Sequence, residues 1–357
     1  MNTMDQSVGA GVYASRIGRV VNSGFTAVMI SIGHRTGLFD VMAALPPSTS
    51  EQIARAAGLA ERYVREWLAA LASAHIVHFD ARTSTYVLPI EYAAVLSRRA
   101  GTNNLAPAAQ MLSLLASVED MVVAAFQSGG GVLPEAYDRF HQLVSSEKRL
   151  TIDASYVDAL VDLVPALRLH LDLGASVLDA GCGDGALLTR MARMFPRSRF
   201  RGYDISAPAT ERARENAAEA DLRNVDFQVR DVRELDEPHA YDLILAVESV
   251  HEMGFPRVAL RRIARALKRD GVFVMQELAA SSHLAPNIEH PFAPMLYALS
   301  CLHSVPVALS QDGEALGRMW GSERAEKLLS EAGFRNIRFA TLGGEAVSDY
   351  VIANGSG

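Results

Sequence analysis

The chain has 357 residues, 49% of them hydrophobic and 21% charged, with a formal net charge of −7. This predicts a globular protein of two domains and argues against a duplex-DNA binder, whose affinity rests on cationic neutralisation of phosphates. Two cysteines, Cys182 and Cys301, cannot build a disulfide framework or a CxxC metal pair, and neither a leader nor an apolar run of about eighteen residues is visible. A cytoplasmic protein without a metal site or a membrane span is expected.

Residues 12–44 read as one or two apolar helices broken near Gly33 and His34. Val20, Val21, Phe25, Val28, Met29, Ile30 and Ile32 need a covering surface, and a second subunit, giving a homodimer, is the expected cover. Ser48, Thr49, Ser50 and Glu51 offer an N-cap for a helix over 51–57 that stops at Gly58. A helix over 60–74 follows, with Tyr63, Trp67, Leu68 and Leu71 on one face, then two short alternating strands at 76–80 and 85–88. Helix-turn-helix followed by a hairpin is the winged-helix layout. Its second helix carries Glu61, Arg62, Arg65 and Glu66, whose charges cancel, whereas a helix in the major groove supplies net cation. A dimerisation and pocket-closing scaffold is expected rather than a DNA reader. Residues 101–170 read as a helical connector interrupted at Gly129, Gly130 and Gly131.

From residue 171 the pattern becomes α/β. Strands at 176–180, 199–205, 225–231, 241–248 and 271–277 alternate with helices, which implies a parallel sheet covered on both faces. The rhythm lapses over 279–320, a candidate lid, and resumes with a helix at 322–332 and strands at 337–342 and 350–353, expected to pair antiparallel. The expected domains are therefore 1–100, 101–170 and 171–357.

The sharpest local signal runs from Val177 to Gly185: a buried strand ends in Asp179, then Gly181, Gly183 and Gly185 turn into a helix. Such glycines let the backbone approach a ligand closely. Gly181, Gly183 and Ala186, with Asp204 downstream, also satisfy the dinucleotide fingerprint, so a nicotinamide-dependent oxidoreductase is one reading. Against it, Asp179 precedes the first glycine, where it would repel a pyrophosphate.

With LDAGCGDG in place, GYDIS (202–206), RDVREL (230–235), YDLILAVESVHEM (241–253) and LKRDGVFVMQEL (267–278) resemble the sequential blocks of class I S-adenosylmethionine-dependent methyltransferases. Arg269 and Asp270 replace the usual Pro-Gly. The resemblance implies a Rossmann-like sheet of order 3-2-1-4-5-7-6 and S-adenosylmethionine as cofactor. It implies that Asp179 faces the methionine ammonium, that Gly181 and Gly183 give close backbone approach, that Asp204 takes the ribose hydroxyls, and that Asp231 reaches the adenine amine. Ile205 and Val232 adjoin these acids on the same edge. ISIGHRTGLFDVM (30–42), GLAERYVREWLAAL (58–71), YVLPIEYAAVL (86–96) and CLHSVPVALSQDGEALGRMWG (301–321) resemble a bacterial group of winged-helix-fused methyltransferases. Members labelled as regulators leave a cofactor-sensing transcription regulator as another reading.

Methyl transfer is an in-line displacement, so the protein mainly aligns the nucleophile and removes its proton where needed. Ligands bind beyond the carboxyl ends of the strands, and the fourth strand ends at Glu248, Ser249, Val250, His251 and Glu252. His251 is expected to act as general base or substrate orienter. Glu248 is expected to contact the cofactor or to set the His251 tautomer, and Glu252 to be a solvated helix-start acid. His34, His303 and Trp320 are expected against the substrate, Trp320 forming an apolar wall with Met295, Tyr297 and Leu299. Both cysteines are expected to pack as small apolar residues. The absent Asn/Asp-Pro-Pro-Tyr block argues against amino methylation of adenine or glutamine, so the expected acceptor is an O, S or N atom of a small molecule.

Overall fold

Two units, Met1–Ser117 and Val118–Gly357, make up the fold; the computed structural model describes residues 10–342 and 348–355. Residues 1–9, on which the expectation about a leader rests, lie outside the described residues. The division cuts the stretch read as a connector. The Ala106–Ala116 helix packs on the first helix of the N-terminal unit, while Glu119–Ser128 and all later helices belong to the second.

In the first unit, Ala10–Thr36 is one continuous helix, and the break falls at Gly37, φ 75°, instead of near Gly33. Gly33 stays helical for a packing reason: a Cβ there would sit 2.5 Å from the Trp67 ring and 2.7 Å from Phe39. Trp67 Nε1 donates to the Met29 carbonyl at 2.8 Å, which satisfies the indole inside the core. The Ser50–Ala57 helix starts on a Thr49/Gln52 capping box and ends at Gly58, φ 66°. The next helix, Glu61–Ser73, buries Val64, Trp67, Leu68 and Leu71, the i, i+3, i+4, i+7 stripe of an amphipathic helix. Tyr63, assigned above to that face, lies one position off it and is 81% exposed. Strands β1 (His78–Asp80) and β2 (Thr85–Val87) pair antiparallel to complete the winged helix. Arg62 and Arg65 are paired with Glu66 and Glu61 at 2.5 and 2.8 Å.

The second unit is built on β3 (Ser176–Ala180), β4 (Arg199–Asp204), β5 (Val225–Val229), β6 (Tyr241–Val247), β7 (Leu267–Leu278), β8 (Arg335–Ala340) and β9 (Ser348–Asn354). Their order is β5-β4-β3-β6-β7-β9-β8, the expected 3-2-1-4-5-7-6, with β9 antiparallel to both neighbours and the rest parallel. The pleat sends alternate residues into two cores: Val177, Leu243 and Val274 into one, Leu178, Ile244 and Phe273 into the other. Because β3 to β7 run parallel, Asp179, Asp204, Val247 and Glu277 all reach one edge of the sheet. Between β7 and β8 lie the helices Leu284–Asn287, Ala293–Leu299 and Val305–Leu309, with a π-helical turn at Ser300–Ser304. Among the described residues no single helix is long and apolar enough to cross a membrane.

Candidate functional site

A cavity opens at that sheet edge. Its floor is the turn after β3, held by Gly181 N and Cys182 N donating to the Tyr203 carbonyl at 2.8 and 3.1 Å. Gly181, Gly183 and Gly185 have φ of 86°, 54° and 73°, conformations that favour glycine. Added side chains at Gly181 and Gly185 would come within 2.5 Å of Ser249 and Phe227, whereas one at Gly183 would meet nothing within 4 Å. Gly183 therefore faces open space.

Asp204 ties this turn to the next. One carboxylate oxygen accepts from Gly183 N and the other from Ser206 N, each at 2.8 Å. Burial holds its pKa above the usual carboxylate value, and these two N–H groups offset only part of that rise. Asp231 accepts from Arg233 N and Nε, each at 2.8 Å. Asp179 is 3% exposed and its Oδ1 has no hydrogen-bond partner. Burial pushes its pKa to about 7 against the pull of the Lys148 ammonium. Asp179, Gly181, Gly183, Asp204, Ile205, Asp231 and Val232, seven residues from three strand ends, all line the one cavity.

The end of β6 differs from expectation. Glu248 lines the cavity in a left-handed conformation, φ 49°, a strained state for a non-glycine residue and one often held at functional sites. Its carboxylate faces Lys148 Nζ at 3.3 Å, and that ammonium holds its pKa low against burial. It does not set the His251 tautomer. That partner is Glu277, whose Oε2 lies 2.6 Å from His251 Nδ1. His251 is fully buried and absent from the cavity lining, so it does not face a reacting centre as expected. The Val250–Glu252 turn is a 3₁₀ helix in which His251 is buried in the core and Glu252 reaches the cavity. Burial works to lower the His251 pKa, but the Glu277 and Glu252 carboxylates outweigh it and hold the value at about 9.

Glu252 is no solvated helix-start acid. One oxygen, Oε1, lies 3.4 Å from His251 Nε2, 3.3 Å from His303 Nδ1 and 3.2 Å from Arg318 Nη2. Burial acts upwards on its pKa, yet His303 and His251 hold it well below the usual carboxylate range. His303, 1% exposed, in turn meets His141 of the Asp138–Thr151 helix, Nε2 to Nε2, at 2.8 Å. Tyr137 OH donates to the Leu302 carbonyl at 2.8 Å and fastens the start of that helix to the π-helical turn. His141, Glu252, His303 and Arg318 all line the cavity.

Two substrate expectations change. Trp320 is buried in the core beside Leu316 and Leu328 and does not line the cavity. Met295, Tyr297 and Leu299 do not line it either. The wall comes instead from His303, Val307, Gln311 and Arg318, farther along the same segment. His34 lies in the first unit, where burial, then Arg98, lowers its pKa and its carbonyl accepts from Arg98 Nη2 at 2.6 Å. Cys182 is buried as expected, whereas Cys301 is exposed. Glu277 could have been found by the strand-end rule that found Asp179 and Asp204. His141 and Lys148 sit on a helix with no motif to mark them.

The chain matches two family models: an Rv2258c-like winged HTH domain over residues 24–98 and a methyltransferase domain over residues 171–333. It is 32% identical over 111 residues to (S)-coclaurine N-methyltransferase of Thalictrum flavum subsp. glaucum, covering 31% of each protein. It is 33% identical over 106 residues to the ubiquinone biosynthesis O-methyltransferase of Neisseria meningitidis, covering 29% of this chain and 44% of the relative. The chain thus spans less than half the length of these curated relatives. Human N-acetylserotonin methyltransferase in complex with SAM shares the fold across 99% of this chain and 100% of its own, with a TM-score of 0.67 and 17% identity.

Proposed function

We propose that this chain, a class I methyltransferase fused to a winged-helix domain, transfers a methyl group from S-adenosylmethionine to an oxygen, sulfur or nitrogen atom of a small molecule. The observation that carries the reading is Asp179, a buried carboxylate with an unpartnered oxygen beside the open backbone of Gly183. An unpaired buried anion calls for a cation, such as the methionine ammonium, and disfavours the pyrophosphate of a dinucleotide. Asp204 has oxygens already aimed at the turn and can take the ribose hydroxyls. Asp231 is the acceptor for the adenine amine, and Ile205, 50% exposed, offers with Val232 an apolar surface for the ring. The bound cofactor supplies an already activated methyl group. The chain's own residues position it and exclude water.

Calorimetry with S-adenosylhomocysteine and with NAD tests this. Binding of the first, abolished or strongly weakened in Asp179→Asn, is expected; binding of NAD alone would sink the reading.

The protein works as a cytoplasmic homodimer in this reading. The two free thiols suit a reducing compartment. Ile17, Val20, Val21 and Phe25 on the Ala10–Thr36 helix are 62%, 62%, 51% and 69% exposed, an apolar stripe that a second copy would cover. Light scattering should give twice 38.6 kDa, falling towards that value in Val20→Glu/Phe25→Glu. An intact chain at the monomer mass removes the proposal.

A further inference from the structure

We propose that Arg212 anchors a carboxylate carried by the methyl acceptor, so that the substrate of this site is an apolar, aromatic acid. The inference rests on the methyltransferase reading above and adds to it the charge class of the acceptor and the residue that selects it.

Five lysine and arginine side chains line the cavity: Lys148, Arg212, Arg230, Arg233 and Arg318. Four of them have a carboxylate. Lys148 meets Glu248 at 3.3 Å, and Arg318 meets Glu252 at 3.2 Å. Arg230 meets Glu237 at 2.6 Å, and Arg233 meets Asp231 at 2.7 Å. Arg212 has none. No carboxylate of a described residue lies within 4.0 Å of it, and its Nε is shielded from solvent without a hydrogen-bond partner.

The helix Ala207–Glu219 brings this about. Arg212 follows Ala209 by three residues and Pro208 by four, the spacing of one helix face, and all three line the cavity. The adjacent Glu211 is taken by Arg214 at 3.1 Å. On the helix Asp138–Thr151, Arg212 opposes the protonation of His141 and Asp138 favours it. Asp138 is exposed and stays beyond ion-pair reach of the guanidinium.

A guanidinium drawn out of water needs acceptor oxygens and a negative charge to replace its hydration. An open Nε–H beside an Nη–H is the side-on fork that holds a carboxylate through two parallel bonds. One guanidinium balances one negative charge. A carboxylate matches it, whereas a phosphate monoester, at about −2, is left half matched. The cofactor's own carboxylate is the competing anion. It is joined to the ammonium that Asp179 receives, and Lys148 already acts on Asp179 at that end. Arg212 belongs instead to the helix that follows Asp204, and acts on His141.

Pro134, Phe140, Val144 and Val307 line the same cavity and supply an apolar surface for the body of the acid. The Phe140 ring suits an aromatic one. With its charge engaged by the fork, the carboxylate is a poor nucleophile and serves as the anchor. The methyl group goes to another atom of the same molecule.

Nitrogen-15 NMR of the arginine-labelled full chain, loaded with S-adenosylhomocysteine, follows the Arg212 Nε–H, assigned with Arg212→Gln. Benzoate, phenylacetate and 3-phenylpropionate are titrated at millimolar concentration beside their amides and beside inorganic phosphate. At least one of the acids should shift the Arg212 signal and slow its exchange with water. It should bind roughly tenfold to a hundredfold tighter than its amide. Arg212→Gln should abolish that preference and keep S-adenosylhomocysteine affinity within a few-fold. No response to any of the three acids, an equal response to acids and amides, a response to phosphate alone, or a preference that survives in Arg212→Gln each overturns the proposal. So does a loss of S-adenosylhomocysteine affinity of roughly tenfold or more in Arg212→Gln, which assigns the guanidinium to the cofactor's carboxylate. Failure of the wild type to bind S-adenosylhomocysteine strikes the methyltransferase reading itself, and is read before any acid is added.

Discussion

Nδ1 of His251 lies 2.6 Å from the Glu277 carboxylate, with both side chains buried beneath the end of β6. The folded-state pKa of His251, about 9, is raised above the 6.5 of an exposed histidine. This pair therefore stabilises the fold fully below pH 6.5, and its contribution is lost as pH rises through 9. Urea unfolding of the wild type should show a decline across that window. Glu277→Ala leaves a buried imidazole without its counter-ion and should cost about 3–5 kcal/mol at pH 7. A cost below 1 kcal/mol would mean the pair is not formed in solution.

Asp179 has the opposite meaning for stability. Its pKa, about 7 against 3.8 in the open, means that ionisation destabilises the fold. The favourable contribution is present below pH 3.8 and is lost as pH rises through 7. Asp179→Asn should stabilise the cofactor-free protein at pH 8 by on the order of a few kcal/mol, with the gain fading towards pH 4. The same change should weaken S-adenosylhomocysteine binding. In the wild type, calorimetry below pH 7 in buffers of differing ionisation heat should detect a proton released on binding. Proton-neutral binding at pH 6 contradicts this assignment.

Asp204→Ala should reduce product-cofactor affinity at least tenfold, since hydrogen bonds to a charged group are worth roughly 1.5–3 kcal/mol each. It also removes the acceptor of Gly183 N and Ser206 N, so faster amide exchange at both should accompany the loss. Unchanged affinity in titration removes the ribose assignment.

Gly181→Ala places a methyl group 2.5 Å from Ser249 Cβ at φ 86°. It should cost about 1–3 kcal/mol by overpacking and break the 2.7 Å bond from Ser249 Oγ to the Ala180 carbonyl. Ser249→Gly should recover the steric part but not the backbone part. A double mutant no more stable than Gly181→Ala would show that φ alone sets the cost.

The sequence by itself determined whatever is periodic or local. Strands alternating with helices announced the two-faced parallel sheet, although its strand order came only from the resemblance to class I methyltransferases; the N-cap offered at residues 48–51 and the glycine at Gly58 marked a helix of the winged domain, and the acids at the ends of β3 and β4 marked the cavity floor. The elements themselves follow from backbone geometry within a few residues, so composition and spacing suffice for them. The side wall of the cavity was decided only by tertiary structure. His141 and His303 are 162 positions apart and meet because Tyr137 ties one helix to a π-helical turn. A 3₁₀ turn three residues long chose Glu252 over His251 for the cavity. In such short irregular turns no repeat sets which way a side chain faces; the packing and charge partners of the assembled core do.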